Sequence, residues 1–424
     1  MVTKFVTITT RALAGSADAA RQRALLQRAQ TACSASQAAG IIGLAWYSLV
    51  LGLGPLGAGA VFAAALAPVS AAGLFPRAAR ALLWRGRRPA LWGGQLVMAA
   101  ALGLALAGAI AGWPVVPIAA AFALGTGRAL FDTAAASVLH ALVDHERQHE
   151  ALRELTQRYS SAQPAGIAVA LVAGFVGGGP LAAIAAGAAM ALVGAVASAS
   201  HHEVLDHVPH ARVRFLDAIL EARSVLGREP RLRAAVIGGA VGIAVATGQA
   251  ALLISWLAVG PDVDGERLVP TLLVAVLGAN LVIGHLGAWL RTLAVRVQLV
   301  LALALLGAGL LTGWQAPDAA TAAAAYAVTI VAGAVLVELA TRAREEAVPA
   351  GLAPAIGVTA GAVWALAGAM GAMAAAAASL VLSLGAAFAA LGGIAVLGGL
   401  VALWLSARAG ISVRPARGRD AAGR

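Results

Sequence analysis

Charge is scarce in this sequence. Acidic and basic side chains together make up 12% of its 424 residues, and lysine occurs once, at Lys4. A soluble domain carries about 25% charged residues, and a globule of this length would still need a large polar surface. The composition therefore excludes an ordinary water-soluble fold. Cysteine is scarcer still, and the single Cys33 excludes an intramolecular disulfide. No Gly-x-Ser-x-Gly elbow and no P-loop ending in Lys-Ser/Thr occurs, so an ATP-driven pump is disfavoured; the one His-Glu-x-x-His, HERQH at 145–149, falls in a charged inner loop. An enzyme is not expected, nor is a cofactor or a metal. A secretory signal would need an apolar core near the start; residues 1–30 carry Lys4, Arg11, Arg21, Arg23 and Arg28 instead. The N-terminus is thus expected in the cytoplasm.

What the sequence has is apolar length. Hydrophobic residues make up 61% of it, and mean hydropathy is +0.86. Basic residues divide the chain into six apolar blocks, each about twice the ~20 residues that a membrane-crossing helix needs. The runs lack a period-2 alternation, which disfavours a barrel. Turn-forming residues break the blocks near 52–55, 113–117, 177–180, 261–267, 314–318 and 379–383. Six hairpins predict an all-α integral membrane protein of twelve transmembrane helices in two six-helix bundles. Of the 30 basic residues only Arg267 falls at an outer turn, beside Asp262, Asp264 and Glu266, and only Arg128 falls inside a span. The net charge of +11 thus reads as the positive-inside rule rather than as nucleic-acid binding. Both termini should face the cytoplasm, and the location should be the inner (plasma) membrane.

The domains expected are a cytoplasmic segment over 1–33, a six-helix bundle over 34–200, a polar linker over 201–233, a second bundle over 234–406 and a cytoplasmic tail over 407–424. Trp46 and Trp256 are 210 residues apart, and Asp132 and Glu338 are 206 apart, which suggests two parallel six-span repeats. In the linker, Phe215, Leu216, Ile219, Leu220 and Leu226 fall on one helical face, with Arg212, Arg214, Arg223 and Arg228 off it. This reads as an amphipathic helix on the inner membrane surface or against the bundle. Residues 12–30 read the same way.

Three stretches carry a family resemblance: ALGTGRALFDTAAASVLHALV at 123–143, AQPAGIAVALVAGFVGG at 162–178 and RFLDAILEARSVLGREPRLRA at 214–234. They resemble the major facilitator superfamily, most nearly its bacterial branch of drug and siderophore exporters. The resemblance implies a central cavity lined by spans 1, 4, 7 and 10 and worked by alternating access. Gly86, Arg87, Arg88 and Pro89 match the end of the family's inner-loop motif between spans 2 and 3. Leu83 and Trp84 stand where that motif has Asp and Arg, so the acidic latch of the family is missing here.

Arg128 and Asp132 stand i, i+4 in span 4 and share a face. A charge near the membrane centre costs ~2.5–3.5 kcal/mol, so both should face the interior and be paired. Asp132 is the candidate proton-responsive acid, with Arg128 as its partner or as a substrate contact; a structural ion pair is the bland alternative. Glu338, in span 10, is a candidate gating acid or a partner of Arg342. Trp46, Tyr47, Gln95, Gln249, Ser255, Trp256 and Asn280 are polar or aromatic groups at depth, candidate lining for a cavity that suits an amphipathic or lipophilic solute, against helix–helix packing as the alternative. Seven of the eight histidines crowd two inner loops; His145 and His149 have i, i+4 spacing, but no cysteine supports a metal site. The sequence thus reads as a proton-coupled secondary transporter, an exporter by antiport. Its partners are the lipid bilayer, protons and a small solute, and a monomer is expected. The competing readings are a non-transporting scaffold or sensor on the same fold and an uncoupled facilitator.

Overall fold

A computed structural model describes residues 17–75, 87–143, 147–200, 210–259, 278–279, 282, 289, 292–293, 295–314, 319–383, 386–387, 390–394, 397–398 and 400–401. The elements in order are α1 (Ala17–Val50), α2 (Gly54–Leu74), α3 (Arg87–Ile110), α4 (Val116–Leu142), α5 (Gln148–Val176), α6 (Pro180–Ala199), α7 (His210–Arg228), α8 (Pro230–Val259), α9 (Val295–Trp314), α10 (Ala319–Ala347), a 3-10 turn (Ala350–Leu352) and α11 (Ala353–Val381). The described residues contain helices and turns but no strand. Helices α1 to α6 form the first half, α7 is the linker, and α8 to α11 belong to the second half. The stretches expected to form spans 8 and 12 fall largely outside the described residues.

Eight of these helices contain a span long and apolar enough to cross a membrane, and Val297–Gly313 is a shorter apolar helix. Helix α4 has the length, 27 residues, but Arg128 and Asp132 dilute its apolar content. Leu104, Val193, Val196 and Leu311 are each more than half exposed on the outer faces. An aqueous protein would bury such surface; lipid covers it here. The chain is a multi-pass membrane protein of the all-helical class that its apolar blocks predict.

The first-half hairpins turn where glycine permits a positive φ: Gly52 and Gly54 after α1, Gly112 after α3, and Gly178 and Gly179 after α5. A proline then opens each returning helix, where its missing N–H costs nothing. At the opposite end the helices outrun the apolar blocks. Helix α5 starts at Gln148 and includes Arg153 and Arg158, while α10 continues through Arg342 to Ala347. Arginine marks the edge of the apolar layer, but as a good helix former it does not stop the helix.

The described part of residues 12–30 is not a separate surface helix. It is the start of α1, which runs unbroken for 34 residues because no proline interrupts it and its first glycine is Gly40. Helix α1 is also the most enclosed span, 83% buried over its apolar window. Successive residues serve different neighbours: Ser34 meets α4, Ala35 lies where a Cβ on Gly166 of α5 would fall, and Ser36 donates 2.8 Å to the Gly187 carbonyl of α6.

The second half repeats this close approach. A Cβ on Gly371 of α11 would strike the backbone of Ala244 on α8, as one on Gly166 would strike Ala35. The two contacts are related by nearly the same sequence offset as Trp46 and Trp256. The halves meet along α2 and α11, which run antiparallel. Gly59 faces Ala376 and Ala372, and Gly73 faces Ala362 and Val358.

Helix α7 lies across one end of both halves, here termed the linker end. Its Ala218, Ile219 and Ala222 are buried in a core shared with Leu232, Val348, Leu352 and Ile356. Leu220, expected on the buried face, is 53% exposed, because it sits ~100° round the helix from Ile219. Side chains of Phe215 and Leu216 fall outside the described residues. Beside α7, Leu139, Val143, Ala151 and Leu152 of the first half pack on Ala353 of the second. His149 Nε2 lies 3.0 Å from the Val348 carbonyl across the same seam.

Candidate functional site

The charges inside the apolar layer of the first half sit on α4. At 1.5 Å per residue, Arg128 lies ~18 Å from the start of that helix, close to its midpoint. The stripe Ala119, Ala123, Thr126 and Leu130 faces outward, half-buried or exposed. With ~100° between residues, Arg128 sits diametrically opposite that stripe and Asp132 about 40° further round. Both therefore point into the protein rather than at lipid.

The guanidinium of Arg128 is 2% exposed. Its Nε donates to Asp132 Oδ2 at 2.6 Å, and its Nη1 donates to Ser34 Oγ on α1 at 2.9 Å. The side chain of Asp132 remains 32% exposed although its α4 neighbours Arg128, Ala129, Ala135 and Ala136 are buried. The carboxylate thus stays partly exposed while holding a buried cation.

The polar contacts extend along α1. Gln30 Nε2 donates to Ser34 Oγ at 3.4 Å, and Gln95 of α3 donates 3.0 Å to the Ala29 carbonyl. The Oε1 atoms of Gln30 and Gln95 are buried without a partner among the described residues. Cys33, also buried, lies 3.6 Å from the sulfur of Met98. Sequence reading missed Ser34 and Gln30, and singled out Gln95 as a polar group at depth without joining it to this group. The available signal was the density of polar residues in an otherwise apolar span, from Gln30 through Gln37.

The inner-loop residues take a structural position. Arg87 is the first residue of α3, 2% exposed, and its Nε donates 2.8 Å to Ser137 of α4. Arg88 Nη2 donates 3.2 Å to the Ala199 carbonyl at the end of α6. Together they fasten α3 to α4 and α6 at the linker end. Gly86 lies outside the described residues.

The candidate lining residues are dispersed. Trp46 lays its ring against Gly174 of α5, and Tyr47 is buried in the core. Both lie ~18 Å or more along α1 from Ser34, so they do not join the ion pair. Gln249 of α8 is 1% exposed, and neither amide atom has a partner among the described residues. Ser255 and Trp256 lie in α8 with side chains outside the described residues, and Asn280 lies outside them altogether. Glu338 is half-buried on α10. Arg342, its expected partner at i+4, donates to Glu346 at 3.0 Å and to the Leu293 carbonyl at 3.2 Å. His149 is engaged at the seam, and His145 falls outside the described residues.

No protein-family model and no curated protein sequence matches this chain. Solved structures do match its fold. The nucleoside transporter NupG aligns with a TM-score of 0.65 at 11% identity, and a mutant of it with 0.67 at 12%; each comparison covers 91% of this chain and 99% of that one. The human organic anion transporter MFSD10 (TETRAN) aligns with a TM-score of 0.58 at 13% identity over the same shares. At such identities the likeness establishes a fold of the major facilitator type.

Proposed function

We propose that the protein is a secondary transporter that moves a small amphipathic or lipophilic solute by alternating access, coupled to protons through Asp132. The observation that carries this reading is the ion pair on α4. A buried cation at mid-helix is held by a carboxylate that stays partly exposed. An exposed acid beside an enclosed base suits an element that changes charge during a cycle.

The contact between halves supports the same reading. Helices α2 and α11 touch through Gly59, Gly73 and alanines, without interlocking large side chains, so the surfaces can slide or part. At the linker end the halves meet through the His149–Val348 contact, the cluster around Ala353 and α7. Export is the direction that the sequence resemblance implies, and a plasma-membrane location with cytoplasmic termini is what the arginine distribution supports.

The test uses full-length protein in proteoliposomes. Lipophilic cations, organic anions and neutral amphipaths are first ranked by thermal stabilisation, since a ligand that prefers the folded state raises its stability. Stabilising compounds are then assayed for counterflow. Counterflow of at least one is expected. Stabilisation with no counterflow by any would overturn transport in favour of a scaffold or sensor.

A further inference from the structure

In the second half, Gln249 stands with both ends of its carboxamide unsatisfied. It lies in the apolar window Leu232–Ile254 of α8, is 1% exposed, and neither its oxygen nor its nitrogen has a hydrogen-bond partner among the described residues. Val245 and Leu252, a turn to either side, are fully buried in a core with Leu306, Leu310 and Leu336. Packing alone would be served by a leucine at 249. An amide held out of water without hydrogen bonds is strongly disfavoured, the more so in a bilayer.

Its neighbours fix the direction in which it looks. Gly242 faces Gly333 and Leu336 of α10. Gln249 is seven residues on, within ~20° of Gly242 round the helix, so it looks toward α10 as well. Helix α8 leaves the linker end and α10 returns to it, so the same ~10 Å step along α10 arrives near Tyr326 and Thr329. The Thr329 hydroxyl is turned to the Ala325 carbonyl at 3.1 Å. Tyr326 is half-buried and packs on the core that contains Ala250 and Ile254 of α8. The seam is thin in side chains: Gly238, Gly242 and Gly333 contribute none, and Leu336 fills what they leave. Gly333 is buried, yet no described residue lies within 4 Å of where its Cβ would stand. Rotation of Leu336 therefore widens the seam toward Gln249.

We infer that Gln249 is a solute-binding residue, and that the solute presents an N–H and a carbonyl oxygen side by side, as a primary carboxamide, a lactam or an imide does. The Gln249 oxygen accepts from the solute N–H, and its Nε2–H donates to the solute carbonyl. Tyr326, at the same level, gives the apolar part of the solute an aromatic wall. Such a solute satisfies both ends of an amide that the fold leaves bare. One with a carbonyl alone leaves the Gln249 oxygen bare and is rejected for that reason. That this molecule is the one carried across the membrane rests on the transport reading above; the binding itself does not.

The test measures binding of naphthalene-2-carboxamide and of methyl 2-naphthoate, which accepts but cannot donate, to purified full-length protein. Wild type should bind the carboxamide about ten-fold more tightly than the ester, the effect of one net hydrogen bond. Gln249→Leu should bind the two alike. It should also unfold at a higher temperature than wild type, because it removes a bare amide from the core. Gln249→Met, unbranched and apolar, gives the same readout should the shape of leucine disturb the packing. Equal binding of the two compounds by wild type, binding of neither, or an undiminished preference in both variants would overturn the site. Preference for the carboxamide without its counterflow would overturn transport and leave the site standing. Counterflow of carboxamide and ester alike, with no preference between them, would do the reverse.

Discussion

Ser34 on α1 accepts a 2.9 Å hydrogen bond from Arg128 on α4, joining two helices whose residues stand 94 apart in sequence. A hydrogen bond to a charged group contributes about 1.5–3 kcal/mol. Ser34→Ala removes that acceptor and should lower the thermal unfolding midpoint clearly, whereas Ser34→Thr, which keeps a hydroxyl, should lower it less. Unfolding of detergent-solubilised protein followed by intrinsic fluorescence checks both.

Gly166 and Gly371 should be intolerant even of alanine. A Cβ at either position would meet the backbone of the neighbouring helix, Ala35 or Ala244, and backbone cannot step aside as a side chain can. Overpacking of this kind costs about 1–3 kcal/mol. Gly93→Ala and Gly103→Ala, which meet open space, are the controls and should leave stability unchanged or raised. Size-exclusion profiles and unfolding midpoints of the four variants read the difference.

The repeat was legible in sequence, and so was much of the architecture. Arginine clusters bounded the apolar blocks, and glycine–proline pairs marked the first-half turns that α1 to α6 make. What could not be read was where helices end at the charged side. Residues such as Arg153 and Arg342 leave the apolar layer without leaving the helix. The i, i+4 spacing of Arg128 and Asp132 put them on one face. Ser34 and Gln30 were not legible as their company, because contacts between distant helices leave no local pattern. Trp46 and Tyr47 attracted notice as aromatics in span 1. Packing against Gly174 and burial in the core account for them locally, since a large ring fills the gap that a glycine leaves.

The antiparallel contact of α2 with α11 should open and close during transport. Cys33 is the single cysteine and is buried, so Gly59→Cys with Ala376→Cys in a Cys33→Ser background gives a clean pair. Oxidation should cross-link the halves and stop counterflow, and a reductant should restore it. Undiminished counterflow by cross-linked protein would mean that the halves do not separate there.

His149 and the Val348 carbonyl, 3.0 Å apart, bridge the halves at the linker end. Losing one such bond costs about 0.5–1.5 kcal/mol, which corresponds to a roughly two- to ten-fold shift between closed and open forms. His149→Ala should therefore speed alkylation of a cysteine placed at Leu352, which is 9% exposed in the closed arrangement. An unchanged rate would remove this contact from the closure.

The coupling of protons to solute at Asp132 is tested most directly by luminal pH in proteoliposomes containing trapped pyranine. An inward gradient of a solute that shows counterflow is imposed with the membrane potential clamped at zero. The account predicts a solute-driven change of luminal pH by wild type and none by Asp132→Asn. A change of equal size in the variant, or none in wild type, would contradict it.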